Sequence, residues 1–278
     1  MPFGFLRRRR SSGVARLEGR APQYVHDLLD EFHRYVLTAY GAAALPRDQF
    51  LALFWRLQQT GQIRPVNRYI GDLWNLFAPD FRERLDEYYK SQEMQLTMTF
   101  MAYATQAQLL RENYVAPYEM MRARLPRTAV LEVGAGVPHG FLSQAFGSGT
   151  AWCDALTIVE IDAVYARFVR WYCEAHGVAF QHALAHAGRA PDIPADRRYG
   201  FVFAKDVFEH LDDPVKAIRA IVGVAAPAAI LALDLEDKGA IEYQHISPAL
   251  AGLREHVERA GFRAFASTGN MTMFERTS

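Results

Sequence analysis

The chain has 278 residues, of which 50% are hydrophobic and 22% are charged, a balance typical of a globular protein with a substantial core. Its 31 basic residues equal its 31 acidic residues, so composition gives no excess positive charge to attract a nucleic acid or an anionic membrane. Cys153 and Cys173 have no metal-binding spacing, and no apolar run approaches the roughly 20 residues of a membrane span. We therefore expect a cytoplasmic protein with no nucleic-acid partner, no membrane partner and no metal; composition leaves the oligomeric state open.

The N-terminal part divides into an arm and a helical region. Residues 1–20 contain six arginines and a single acid, Glu18, which predicts a mobile basic arm. From 21 to 118, apolar residues recur three or four positions apart, and this spacing predicts an all-helical cover domain. Its last helix, at about 91–111, has a stripe of methionines and aromatic residues that we expect in the core. The helical spacing is clearest in Leu28, Phe32, Tyr35, Val36 and Tyr40, and in Phe50, Phe54 and Leu57.

The pattern changes in residues 119–278, where short apolar runs alternate with amphipathic stretches. This alternation is typical of a parallel sheet with crossover helices. After a helix at about 248–260, residues 262–276 resemble two strands joined by a polar turn at 267–270. The predicted fold is α/β, a doubly wound and mainly parallel sheet that ends in an antiparallel hairpin. The five strands predicted before the hairpin are 129–133, 156–161, 178–181, 200–204 and 229–233.

The first strand runs into a glycine-containing turn, where ligands of such sheets usually bind. Gly134 and Gly136 permit positive φ and a close approach of backbone to ligand. Their GxGxxxG spacing misses the dinucleotide-binding GxGxxG pattern by one position, and alone it is also compatible with an ordinary turn. Glu132 directly precedes them, and a carboxylate at the end of a buried strand needs hydrogen-bond donors.

Two further acidic segments are expected at the same edge of the sheet. Glu160 lies near the end of the second strand, 24 residues beyond Gly136, where a carboxylate can accept both hydroxyls of a ribose. The fourth strand leads into 206–214, which contains Asp206, Glu209 and His210. Each acid alone could cap a helix or lie on the surface. Their common position favours a ligand site.

With these features in this order, residues from about 114 to 278 resemble the class I S-adenosylmethionine-dependent methyltransferases. The matching segments are 131–136, 159–162, 206–211 with Asp213 and Pro214, and the terminal hairpin after 260–262. The resemblance implies a seven-stranded sheet and S-adenosylmethionine as the cofactor. The cofactor-binding residues that it implies are Glu132, Gly134, Ala135, Gly136, Glu160, Ile161, Asp162, Ala204 and Lys205.

Within that set, the resemblance implies that the two glycines contact the methionine part, that Glu132 organises its amino group and that Glu160 holds the ribose. The chain departs from the family pattern at 181–184, where many relatives have an acid near the adenine. It also departs at Pro138 and His139, which stiffen and fill the glycine loop.

A sulfonium is already an activated leaving group, so the protein must chiefly hold an acceptor in line with one carbon and exclude water. A hydroxyl or ammonium acceptor also has to lose a proton. We expect the catalytic candidates to be His139, His245 and Asp206, and we expect His210 to have a structural or cofactor-side role. A lone histidine is often only a structural hydrogen-bonding residue.

Three functions remain open at this point. The first is methylation of a small-molecule substrate, with the acceptor held between the sheet and the helical cover. The second resembles nicotianamine synthases and azetidine-2-carboxylate synthases, which use the aminocarboxypropyl arm and release methylthioadenosine. The third is a non-catalytic binding module, supported only by the arginines at 7–10. Aromatic residues that could either enclose a sulfonium or pack in the core are Tyr88, Tyr89, Tyr103, Tyr114 and Tyr118.

Overall fold

A computed structural model describes residues 21, 23–41, 44–60, 107–134, 136–162, 164–236 and 250–277. The predicted arm at 1–20 and most of the predicted helix at 91–111 lie outside the described residues. Two of the candidate site residues, Ala135 and His245, also lie outside them.

The centre of the molecule is a seven-stranded sheet in the order β3-β2-β1-β4-β5-β7-β6. Strands β1 to β5 pair in parallel, whereas β7 lies antiparallel between β5 and β6. This arrangement confirms the predicted seven-stranded, doubly wound and mainly parallel sheet with its terminal antiparallel hairpin. The strands are β1 Thr128–Val133, β2 Cys153–Glu160, β3 Ala179–Leu184, β4 Tyr199–Ala204, β5 Ala225–Asp234, β6 Phe262–Thr268 and β7 Met271–Arg276.

The observed strands differ from the predicted ones mainly at their ends. β5 begins four residues before the predicted 229–233, at small residues whose propensity for strands is low. Pairing with β4 extends it, because Tyr199 is in register with Ala225. β3 continues three residues beyond the predicted 178–181. It lies at the edge of the sheet with residues that are half-buried or exposed, so no clear alternation marks its end.

Helices cover both faces of the sheet. The start of α7 is fixed locally, because the side chain of Asp213 accepts a 2.8 Å hydrogen bond from the backbone N–H of Lys216 and Pro214 occupies the first turn. The helices are α1 Gln23–Tyr40, α2 Arg47–Thr60, α3 Ala107–Leu110, a π-helix Arg111–Val115, α4 Ala116–Arg122, α5 His139–Ser148, α6 Val164–Ala175, a 3-10 helix Phe208–His210, α7 Pro214–Val224 and α8 Leu253–Arg259.

Two apolar clusters fill the space on the two sides of the sheet. One lies between the sheet and α7 and α8. The other lies between the sheet and α4, α5 and α6, and it continues outward to α1 and α2. For example, the rings of Phe32 in α1 and Phe168 in α6 pack edge-on, with their centres 5.3 Å apart. Helices α1 and α2 thus form an outer layer on the sheet domain, and the boundary predicted at 118/119 stays a prediction.

Among the described helices, none is both long enough and apolar enough to cross a membrane.

Candidate functional site

A cavity of about 280 Å³ opens at the carboxyl ends of β1, β2 and β4. From β1 the sheet continues through β2 and β3 on one side and through β4 and β5 on the other, so the strand order reverses here. This reversal is where ligands bind in open α/β sheets. The lining residues come from the glycine loop, from the end of β2, from the loop after β3 and from the segment after β4.

The glycine loop has a backbone that few other residues could adopt. Gly134 has φ of +61° and Gly136 has φ of +55°. A Cβ added to Gly134 would lie 2.7 Å from Cγ2 of Val207, so the segments leaving β1 and β4 approach each other too closely for a side chain. The loop is also tied to β2, since the N–H of Gly134 donates to the carbonyl of Val159 at 2.9 Å.

A tight turn connects this loop to α5. Pro138 has φ of −75° and ψ of 73°, and the N–H of His139 donates to the carbonyl of Val137 at 2.8 Å. These values define an inverse γ-turn. The departure from the family pattern that Pro138 and His139 represent is therefore a compact junction at which the loop ends and the helix begins.

Glu160 lines the cavity, and its carboxylate is held by the loop. Its Oε2 accepts from the N–H of Gly136 at 3.1 Å, and its Oε1 accepts from the N–H of Ile161 at 2.8 Å. Burial raises the pKa of Glu160, while these N–H groups and a hydrogen bond from Tyr165 oppose the rise. Since a carboxylate has about four acceptor positions, Glu160 retains acceptor capacity toward the cavity.

Residues 185–189 and Pro191 form the wall of the cavity beyond β3. Asp212 holds this loop, because its N–H donates to the carbonyl of Gly188 at 2.8 Å and its Oδ1 accepts from the N–H of Ala190 at 3.0 Å. The wall thus lies after 181–184, the segment at which the sequence departs from the family pattern, and neither this loop nor the role of Asp212 was predicted. The sequence did contain a signal for this loop, because Gly188 and Pro191 follow a predicted strand at the edge where a ligand was expected.

After β4, charged side chains cluster beside the cavity. Asp206, with φ of +51°, lines the cavity and is half-exposed. Nζ of Lys205 lies 2.5 Å from Oδ2 of Asp206 and 3.5 Å from Oδ2 of the buried Asp234. It also lies 5.6 Å from the ring centre of Tyr114. Lys205 therefore lies beneath the cavity rather than in its lining, and sequence reasoning did not identify Asp234.

Glu132 faces away from the cavity. It is 1% exposed, and its Oε1 accepts a hydrogen bond from the hydroxyl of Tyr118 in α4. Within the described part of the chain, its Oε2 has no hydrogen-bond partner. Burial raises the pKa of Glu132 to about 8, against the lowering effect of the Tyr118 hydrogen bond. This carboxyl group is therefore mainly neutral at pH 7.

His139 also lies behind the loop. Its Nδ1 is hydrogen-bonded to the hydroxyl of Tyr24 in α1, and the rings of Tyr24 and Tyr114 meet it edge-on. Burial lowers the pKa of His139 to about 3, so the imidazole is neutral at physiological pH. His139 does not belong to the lining of the described cavity.

The sequence-predicted residues thus fall into three groups. Gly134, Gly136, Glu160, Ile161, Asp206 and His210 line the cavity. Glu132, His139, Ala204 and Lys205 are buried behind or beneath it. Asp162 is exposed, and its carboxylate lies 3.1 Å from Arg167. As for metals, the described residues contain no group of three or more histidine, cysteine or acidic side chains that could hold an ion.

No protein-family model matches the sequence, and no curated protein matches it either. Among solved structures, the chain is similar to magnesium protoporphyrin IX methyltransferase from Synechocystis PCC 6803 with bound SAH, at 15% identity and a TM-score of 0.49 over 71% of this chain and 100% of that one. A SAM-dependent methyltransferase from Aquifex aeolicus matches at 20% identity and a TM-score of 0.39, over 59% and 90% of the two chains. The cyclase SpnF matches at 18% identity and a TM-score of 0.40, over 54% of this chain and 57% of its own length. These similarities concern the fold.

Proposed function

We propose that the chain is an S-adenosylmethionine-dependent transferase and that it methylates a small molecule. The observation that carries the proposal is the position of Glu160. Its carboxylate lies at the tip of β2, held by backbone N–H groups of the glycine loop and of its own strand end, and it lines a cavity at the reversal of strand order. That arrangement suits an adenosyl group, whose ribose presents two hydroxyl donors.

The cavity fits such a group in further respects. Its volume of about 280 Å³ lies just below the roughly 300–1,000 Å³ of small-molecule sites. Gly134 and Gly136 both line the cavity, so the loop presents backbone without side chains to a ligand there. Apolar side chains, including Ile161, Val207 and Leu211, line the cavity beside the carboxylate of Glu160.

The residues then divide the work of binding. Glu160 would accept a ribose hydroxyl at its remaining acceptor position, and Gly134 and Gly136 would let the backbone contact the methionine part. The loop at 185–191 would enclose the adenine. Glu132 and Lys205 lie one layer behind, where they support the loop and the segment after β4. When bound, S-adenosylmethionine supplies a carbon activated by the adjacent sulfonium.

The chain itself has only to position an acceptor and exclude water. Among the catalytic candidates that the structure describes, Asp206 is the one that lines the cavity, so we assign its carboxylate the removal of a proton from a hydroxyl or ammonium acceptor. A small-molecule acceptor agrees with the net charge of zero, which gives no attraction to a polyanion.

The test is to incubate the full chain with S-adenosylmethionine and candidate small-molecule acceptors and to identify the nucleoside product by chromatography. We expect S-adenosylhomocysteine. Methylthioadenosine would show that the aminocarboxypropyl arm is used instead of the methyl group. A chain that binds neither S-adenosylmethionine nor S-adenosylhomocysteine would refute the proposed function.

A further inference from the structure

The hydroxyl of Tyr24 joins α1 to the end of the glycine loop. Tyr24 lies in the first turn of α1, more than a hundred residues before the loop, and its hydroxyl is hydrogen-bonded to Nδ1 of His139. Since burial keeps the imidazole neutral, one of the two groups donates and the other accepts, according to the tautomer of His139. Burial likewise raises the pKa of Tyr24, so its proton stays in place.

His139 is the residue through which this contact reaches the loop. Its backbone N–H closes the inverse γ-turn at Pro138, and the carbonyl of Pro138 accepts from the N–H of Leu142 at 2.9 Å in the first turn of α5. A fixed imidazole therefore fixes the point at which the loop ends. The loop reaches from there back to Gly136, whose N–H holds the carboxylate of Glu160.

The next residue, Gly140, shows how closely α5 is packed on this side. A Cβ added there would lie 2.3 Å from Cδ2 of Tyr118 and 2.6 Å from the carbonyl oxygen of Tyr114. The N-terminus of α5 thus rests directly on α4 and on the π-helix. The first turn of α5 therefore packs against α4 and the π-helix, and it is joined to α1 by the hydrogen bond between Tyr24 and His139.

We propose that Tyr24 is a positioning residue for the cofactor, which acts through His139 to hold the glycine loop in its binding conformation. The inference rests on the proposed function, because it assumes that the loop binds the adenosyl sulfonium. Gly134 and Gly136 give the loop wide conformational freedom, and restricting that freedom before binding lowers the entropy cost of binding. Helix α1 would then contribute to affinity without touching the cofactor.

The test compares Tyr24→Phe with Tyr35→Phe. Both changes remove one hydroxyl from α1, but Tyr35 packs against Phe168 and Trp171, away from the loop. Losing a net hydrogen bond is equivalent to a factor of roughly 3 to 10 in a binding constant. We expect Tyr24→Phe to weaken binding of S-adenosylhomocysteine by that factor in calorimetry, to raise the KM for S-adenosylmethionine equally, and to leave kcat nearly unchanged. Tyr35→Phe should keep the dissociation constant within about twofold.

A second pair of variants addresses the route through His139. His139→Gln keeps a hydrogen-bond acceptor near the Tyr24 hydroxyl, whereas His139→Leu removes it. We expect His139→Gln to bind S-adenosylhomocysteine more tightly than His139→Leu, and we expect Tyr24→Phe to cause no further loss in the His139→Leu background. This pair also decides the matter if Tyr24→Phe does not fold.

The outcomes separate two failures. If the wild-type chain binds S-adenosylhomocysteine and Tyr24→Phe binds it equally well, or if the effects of Tyr24→Phe and His139→Leu add fully, the positioning role is overturned while the proposed function stands. If the wild-type chain does not bind the nucleoside at all, the proposed function fails and the positioning role fails with it.

Discussion

The two faces of the glycine loop are built from different chemistry. The face toward the cavity presents backbone, apolar side chains and the carboxylate of Glu160. On the opposite face, aromatic hydroxyls form hydrogen bonds, Tyr118 with Glu132 and Tyr24 with His139. Of the polar residues next to this loop, Glu160 lines the cavity, whereas Glu132 and His139 are held in the protein interior.

Glu132 and Glu160 illustrate the difference, because both lie near the ends of adjacent parallel strands. Glu132 is in the interior of β1, so strand alternation directs it to the same face as Val130, toward α4. Glu160 is the last residue of β2, where the loop supplies N–H donors. Similar acids in similar positions therefore differ in what they can bind.

The largest effect should come from the cavity face. Glu160→Gln keeps the shape of the side chain but removes its charge and one acceptor oxygen. Each hydrogen bond to a charged group is worth about 1.5–3 kcal/mol, so we expect S-adenosylhomocysteine to bind about 10- to 100-fold more weakly in calorimetry. The control is Glu174→Gln, which changes an exposed acid of α6 and should leave affinity unchanged. Equal affinities in the two variants would remove Glu160 from the site.

The loop backbone should be the next most sensitive element. Gly134→Ala forces an alanine to adopt a φ of +61° and drives its Cβ toward Val207. We expect it to lower the free energy of unfolding by about 1–3 kcal/mol and to reduce cofactor affinity as well.

The matched control for that change is Gly223→Ala in α7, where a Cβ meets nothing within 4 Å. It should raise the free energy of unfolding by up to about 1 kcal/mol, since alanine is the better helix former. Urea denaturation of both variants measures the difference. Opposite signs are expected, and a stabilised Gly134→Ala would contradict the described loop.

On the face of the loop opposite the cavity, the titration of Glu132 should make the free energy of unfolding fall as the pH rises. Its pKa is about 8 in the folded chain because of burial, against an ordinary value of 4.5. Between these values the folded chain binds more protons than the unfolded chain, so the free energy of unfolding decreases from about pH 4.5 to about pH 8. Glu132→Gln removes this titration, and its stability relative to wild type should increase across that range in urea denaturation. Parallel curves would mean that Glu132 is ionised in the folded chain.

The titration of His139 should change the free energy of unfolding in the opposite direction, over an overlapping pH range. Burial lowers its pKa from 6.5 to about 3, so the unfolded chain binds more protons between these values and stability is lost as the pH falls below about 6.5. Between pH 4.5 and 6.5 the two titrations offset each other in the wild-type chain. His139→Gln should therefore lose less stability than wild type on acidification, as measured by denaturation at pH 4.5 and 6.5. An unchanged difference between the two proteins would show that the imidazole is not buried in its neutral form.

Local pattern was enough to predict the sheet and its hairpin, because buried parallel strands and a polar turn containing Gly269 leave clear signals in the sequence. It was also enough to predict Glu160 at the cavity. The two tyrosine contacts could not be predicted, since Tyr24 and His139 are 115 positions apart and only tertiary packing brings them together. The π-helix carrying Tyr114 was equally invisible, because its sequence continues a helical pattern.

We propose that the cavity at the ends of β1 and β2 binds an adenosyl group through Glu160. The decisive experiment is a calorimetric titration of the full chain with S-adenosylhomocysteine. Saturable binding at one site per chain, strongly weakened in Glu160→Gln and retained in Glu174→Gln, is the expected result. A flat titration with the wild-type chain, or binding that is indifferent to Glu160, would contradict it.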